Sequence, residues 1–176
     1  LIDSLNTRGE MDTAMGYSFT WLDFLPPATD SVSEVDSATI VGLCYLGATY
    51  QFINLDSAIQ ISRRALKAAS HINFPTGKAL ALRTLGENYR LKGELFQALE
   101  KLSEALKISR EIRNLELESG CLVFIGATYS ALEEYKLSLD HLFDALKLKD
   151  EFAITPMHPF VLANIGYCYL KMGKLD

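Results

Sequence analysis

The chain has 176 residues, 49% hydrophobic and 22% charged, with 17 basic and 22 acidic side chains for a net charge of −5. This composition excludes wholesale disorder, and an acidic balance without a basic stripe excludes a protein that tracks nucleic-acid phosphates. The apolar runs stop short of the roughly 20 residues that span a bilayer, so no membrane insertion is expected.

Read from the start, Leu1 to Glu10 is polar and charged, unlike a secretory leader, and the missing initiator Met points to a longer parent protein. Residues 1–24 read as a partial hairpin: Gly9-Glu10-Met11-Asp12-Thr13-Ala14 matches Gly93-Glu94-Leu95-Phe96-Gln97-Ala98 further on, which predicts a helix from Glu10 to about Phe24. Residues 25–37 read as a linker, because Pro26-Pro27-Ala28-Thr29-Asp30-Ser31 is a turn and loop signal.

From residue 38 one pattern recurs. Tyr45-Leu46-Gly47-Ala48-Thr49-Tyr50, Thr84-Leu85-Gly86-Glu87-Asn88-Tyr89, Phe124-Ile125-Gly126-Ala127-Thr128-Tyr129 and Asn164-Ile165-Gly166-Tyr167-Cys168-Tyr169 align, with glycines 39, 40 and 40 residues apart. A second element follows the first three: Ala58 and Ala65, Ala98 and Ala105, and Ser138 and Ala145 are small residues spaced by seven. The 39 is a one-residue deletion in the turn before Ala58. Such regular self-similarity divides the chain into repeats at 38–75, 76–115 and 116–155 and a partial fourth at 156–176.

Each unit reads as two helices. In the second, Leu82, Leu85, Gly86 and Tyr89 form one face, Lys92-Gly93-Glu94 breaks the helix, and Leu95, Ala98, Leu99, Leu102, Ala105, Leu106 and Ile108 form the next, ending near Asn114. Pro75-Thr76 marks the start of the second unit, and Pro156 with Pro159 opens the fourth. A glycine inside a helix costs about 1 kcal/mol relative to Ala. Four at equivalent places predict a recurring gain, a close backbone approach to the second helix.

Leu-Gly-x-x-Tyr, a Gly-containing turn and small residues on the second helix resemble the tetratricopeptide repeat, with Leu85, Gly86, Tyr89, Gly93, Ala98 and Ala105 matching best. The resemblance covers 38 to 176 and implies an all-α, right-handed superhelical solenoid of antiparallel hairpins. Two features depart from the pattern. The period is 40 rather than about 34, and Ser62, Leu102 and Leu142 stand where an aromatic is expected. The long period is similar to that of bacterial signalling and regulator proteins of this superfamily.

A second stripe lies roughly 150° from the Leu-Gly-Tyr face of each first helix. It comprises Val41, Cys44, Tyr45, Ala48, Gln51 and Phe52; Leu80, Arg83, Thr84, Glu87, Arg90 and Leu91; Val123, Phe124, Ala127, Ser130 and Ala131; and Phe160, Ala163, Asn164, Tyr167, Leu170 and Lys171. In the family resembled, this stripe lines the groove that holds a peptide or partner helix. Tyr45, Phe52, Phe124 and Tyr167 are candidate aromatic anchors, and Arg83 and Arg90 candidate carboxylate or phosphate grips. Gln51, Glu87, Ser130, Asn164 and Lys171 complete the candidate set. The bland alternative is that Glu87 pairs with both arginines as a solvated cluster and the aromatics pack between units. The lysine–asparagine clamp of chaperone-tail-binding members is missing, since Cys44, Ala48, Arg83, Thr84 and Glu87 stand there.

Nothing points to chemistry. No HExxH, Walker loop, GxSxG or GxGxxG is present. His71, His141 and His158 stand apart; Glu133-Glu134 and Asp150-Glu151 read as solvated. Cys44, Cys121 and Cys168 lie far apart in apolar contexts, as buried thiols of a reducing cytoplasm rather than disulfides or metal ligands. No cofactor or metal is expected. The expectation is a non-catalytic module that binds protein or peptide, as the sensory or scaffolding part of a larger bacterial signalling protein such as a nucleotide or diguanylate cyclase or a kinase. A regulator sensing a short signalling peptide and an unrecognised catalytic repeat protein are the alternatives. With half-hairpins at both ends, a homodimer through a terminal hairpin is expected.

Overall fold

A computed structural model describes residues 36–152 and 158–173. Within them are seven helices: α1 Ser37–Tyr50, α2 Leu55–His71, α3 Pro75–Lys92, α4 Leu95–Glu111, α5 Leu115–Ala131, α6 Tyr135–Phe152 and α7 His158–Lys171. The helix expected from Glu10 to Phe24 and the linker at 25–37 lie almost wholly outside the described residues.

Helix starts follow local chemistry. The side chains of Asp36, Asn54 and Asn114 accept from the amides of Thr39, Ser57 and Leu117, satisfying first-turn donors. Pro75 is the first residue of α3, where its missing N–H costs nothing. Asn114, which the sequence suggested as the end of the second unit's second helix, instead caps α5; α4 already stops at Glu111.

The connections share one geometry. Asn73, Gly93, Arg113 and Glu133 all have positive φ, 20 residues apart in succession. The next residue's amide then bonds back five positions, from Phe74 to Ala69, Glu94 to Tyr89, Asn114 to Ser109 and Glu134 to Tyr129, each at 2.9 Å. This is the Schellman closure. The 40-residue period is therefore two 20-residue halves, each ended by the same turn. The first connection lacks it. There the one-residue deletion removes the left-handed position, and α1 ends three residues past Gly47 where α3 runs six past Gly86.

Successive hairpins stack around two adjoining apolar clusters, a smaller one on Ile40, Leu43, Leu46 and Leu80 and a larger one further along, with Leu66 and Ile108 packed against both. Leu82, Leu85, Leu102, Leu122 and Leu142 are fully buried in the larger cluster, each stabilising by about 2 kcal/mol relative to exposure. The repeat signature sits inside, with Gly47, Gly86 and Gly126, the small residues Ala58, Ala98, Ala105, Ser138 and Ala145, and Tyr89 all buried; Tyr50, Tyr129, Tyr169 and Gly166 are half-buried. A Cβ on Gly86 would lie 2.6 Å from Leu102 Cγ and 3.2 Å from the Ala98 carbonyl oxygen. On Gly126 it would lie 2.8 Å from Leu142 Cγ and 3.1 Å from the Ser138 carbonyl. On Gly47 it would lie 2.5 Å from Ser62 Oγ. The close approach expected from sequence is real at these three. Its floor is the carbonyl of the small residue plus the side chain where an aromatic was expected. At Gly166 nothing lies within 4 Å.

The backbones of successive first helices approach one another closely (α1 with α3, α3 with α5, α5 with α7), while those of successive second helices stay further apart. The first helices therefore form the inside of the curve and α2, α4 and α6 the outside.

Candidate functional site

The stripe on the first helices divides by burial. In units one and two it is partly open: Tyr45 is 64% exposed, Phe52 73% and Leu91 45%, Gln51, Arg83, Glu87 and Arg90 are half-buried, and Cys44, Leu80 and Thr84 are buried. In unit three it is closed. Phe124 and Ser130 were expected to line the groove, but each is only 5% exposed. Phe124 packs against Phe160 with ring centroids 6.4 Å apart, and Ser130 Oγ faces the Cys168 thiol at 3.7 Å. The reason is the following unit: Phe160 and Cys168 both lie on α7, which packs on α5. Asn88, four residues after Thr84, points the other way, at the preceding hairpin, its amide donating to Ser62 Oγ at 3.1 Å and the Gly47 carbonyl at 3.4 Å. Thr84, at the Phe124 register, is buried as well. Tyr45 occupies the equivalent place in unit one and stays exposed.

Unit four forms a second patch. Asn164 is half-buried, its side chain donating to the Phe160 carbonyl at 2.8 Å. Tyr167 meets Tyr135 edge-on, centroids 6.4 Å apart, and Lys171 lies 5.5 Å over the Tyr167 ring. The candidate residues thus gather as two patches on either side of the closed third unit.

The first patch is the more polar. Gln51 and Phe52 do not sit on a helix but in the turn that the deletion creates after Tyr50. Gln51 hydrogen-bonds the Glu87 carboxylate, and Arg90 and Arg83 act on it electrostatically. Burial nevertheless pushes the Glu87 carboxyl above its usual range, against all three. The same burial lowers the Arg90 pKa, with Glu87 opposing. The cluster is therefore a partly desolvated one, not a freely solvated surface triad. Gln51 Oε1 and Arg90 Nε are both buried and have no hydrogen-bond partner.

Arg83 is held from beneath. A Cβ on Gly120 would lie 2.5 Å from Arg83 Nη1, so Gly120 is the notch over which the guanidinium lies. Sequence reading passed over Gly120. Its signal was a glycine inside an otherwise apolar helix, outside the recurring register. The cysteines are inert here: all three are buried and unpaired, and burial pushes the Cys44 and Cys121 thiols up to about 12.

Among the described residues no three of His, Cys, Asp and Glu gather as metal ligands, and no helix is long and apolar enough to cross a membrane. A small cleft of about 230 Å³ opens away from the stripe, between the end of α2, the start of α3 and the end of α4, lined by Ser70, Phe74, Lys78, Ile108 and Glu111 among others.

Solved structures share this architecture. The chain superposes on the apo form of RapI with a TM-score of 0.73 at 20% identity, over 95% of this chain and 60% of that one. It superposes on BtubC (BKLC) from P. vanneervenii with 0.68 at 17% identity, over 94% and 66%. A Podosopora anserina kinesin light chain with nearly identical TPR-like repeats gives 0.63 at 13% identity, over 97% and 88%. The fold is a tetratricopeptide-type solenoid. No protein-family model matches the sequence, and no curated protein matches it significantly. The solenoid spans less than two thirds of the RapI and BtubC chains it resembles. Stacked-repeat solenoids present an extended concave surface on the inside of their curve.

Proposed function

We propose that this chain is an interaction module that holds a polypeptide partner on the inner face of units one and two. One observation carries the reading. Three large side chains of the inner stripe, Tyr45, Phe52 and Leu91, stand exposed, and Phe52 and Leu91 directly follow Gln51 and Arg90 of the partly desolvated charged cluster. In the intact protein the module serves as the sensory or scaffolding region of a larger bacterial signalling protein, acting in the cytoplasm and without catalysis of its own. Three scattered histidines and inert thiols support the last point.

A second reading is favoured by the likeness to RapI, a protein whose solved form is named as apo. In it the same face senses a short peptide and the module is itself the regulator. Both readings use the same patch. Peptides selected from a displayed random library on the 176-residue chain test it. Phe52→Ala should weaken the selected binder at least tenfold, because a buried aromatic anchor contributes about 2 kcal/mol or more. Phe96→Ala, on the outer helix α4 and 80% exposed, should leave binding unchanged. The opposite pattern would move the site to the outside of the curve.

A further inference from the structure

In the first three units the mid-helix glycine is covered by the hairpin's second helix. The atoms that a Cβ there would meet belong to a small residue's carbonyl and to the side chain four positions on: Ala58 with Ser62, Ala98 with Leu102, and Ser138 with Leu142. The same face of α7 lacks that cover. Nothing lies within 4 Å of a Cβ on Gly166. Leu162, one turn earlier, is 49% exposed, whereas its counterparts Leu82 and Leu122 are 0% and 2% exposed. A face that elsewhere seats a helix by close backbone approach therefore stands open at α7, and an open apolar face of this kind marks a docking surface.

We propose that this face seats residues 10–24 of a second copy of the chain. Those residues lie outside the described part, and their sequence carries the second-helix pattern. Ala14 and Ser18 stand at the positions of Ala58 and Ser62, the pair that meets Gly47 in unit one. Met11, Met15 and Leu22 stand at those of Leu55, Ile59 and Leu66. One position departs: Trp21 stands where the other second helices have Ala65, Ala105 and Ala145. In an antiparallel hairpin that position runs back past the glycine towards the start of the first helix, so Trp21 falls over the exposed Leu162. The helix order favours a second copy over the same chain. A second helix meets a first helix on either side, as α2 meets α1 and α3, and its glycine-facing side is turned to the earlier one. Residues 10–24 precede α1, which gives them α1 as the later neighbour and leaves the Ala14–Ser18 side for an α7 from another copy. This surface is separate from the inner face proposed above, and each stands or falls without the other.

Two variants of the 176-residue chain test it, Ser18→Cys in one and Gly166→Cys in the other. A Cβ on Gly47 would lie 2.5 Å from Ser62 Oγ, so the equivalent pair is within disulfide reach, and the native Cys44, Cys121 and Cys168 are buried. Mixing and oxidising the two variants should link them. Ser18→Cys mixed with Phe96→Cys, exposed on the outer helix α4, should not link. Light scattering should show the native chain associating as concentration rises. Gly166→Ala should weaken that association by about tenfold or more, because the methyl takes space the docked helix needs. In dilute solution the methyl meets no neighbour, and circular dichroism checks that the fold is kept. A native chain that stays monomeric at high concentration overturns the proposal, as does equal linking to position 96 or association unchanged by Gly166→Ala. A double variant, Ser18→Cys with Gly166→Cys, that closes within a single dilute chain overturns it in favour of docking in cis.

Discussion

Gly86 and Gly166 occupy the same place in their units, yet alanine should act on them with opposite sign. Removing a mid-helix glycine stabilises by about 1 kcal/mol through propensity alone. At Gly166 nothing lies within 4 Å of the new methyl, so that gain stands unopposed. At Gly86 the methyl would sit 2.6 Å from Leu102 Cγ, a branch point rather than a flexible tip, and 3.2 Å from the Ala98 carbonyl oxygen. Leu102 is fully buried and has nowhere to swing, so α3 and α4 must separate. Overpacking of this kind costs about 1 to 3 kcal/mol, which leaves Gly86→Ala destabilised by about 1 kcal/mol net. For a chain of this size that is a melting temperature lower by about 2 to 4 °C, against a rise of similar size for Gly166→Ala. Thermal unfolding followed at 222 nm measures both. Gly86→Ala melting as high as Gly166→Ala would refute the close-approach argument, and Gly86→Leu should be worse than Gly86→Ala.

Gly93 has open space around it but a φ of +84°, so Gly93→Ala should cost about 1 kcal/mol through the left-handed backbone alone, read by denaturant midpoint. The converse holds at Glu133, exposed with a φ of +63°, where Glu133→Gly should raise stability by up to about 1 kcal/mol. His141 stacks on Tyr129 with ring centroids 5.4 Å apart and has a buried, unpartnered Nδ1. Burial lowers its pKa, and Arg110 adds to this, against Asp144 and Asp140. The unfolded chain therefore takes up the proton first as pH falls, and stability should drop as pH falls below about 6.5. His141→Phe keeps a ring in place and should flatten that part of the stability–pH curve; an unchanged slope would contradict the assignment. Arg83→Ala uncovers the Gly120 notch and should lower stability by more than the roughly 0.5 kcal/mol of an ordinary surface change, checked by the same denaturant titration.

Much of the solenoid was legible because its constraints recur. A helix-interior glycine is costly enough that four in register demand a structural reason, and three of them have it in the carbonyls of Ala58, Ala98 and Ser138. The turns were less legible. Asn73, Arg113 and Glu133 adopt the same left-handed conformation as Gly93, but only Gly93 advertises it, since only glycine does so without strain. The 20-residue half-period was hidden for that reason.

The helix face that carries the expected groove residues was legible, but not what covers it. Helical periodicity places Tyr45 and Phe124 at one angle, but it cannot say how far a neighbouring hairpin covers that angle. Phe124 is covered and Tyr45 is not. The deletion before Ala58 was visible in the spacing. Its consequence was not: unwinding the end of α1 moves Gln51 and Phe52 from a helix face into a turn.

The central claim is that a polypeptide partner sits against the inside of the curve at units one and two. A photo-cross-linking side chain, p-benzoylphenylalanine, replacing Phe52 in one variant and Phe96 in another, tests it most directly, because both positions are large, aromatic and exposed, but Phe52 follows the first-type helix α1 and Phe96 lies on the second-type helix α4. With the selected peptide bound, the account predicts a cross-link from position 52 and none from position 96. Cross-linking from 96 and not from 52 would contradict it.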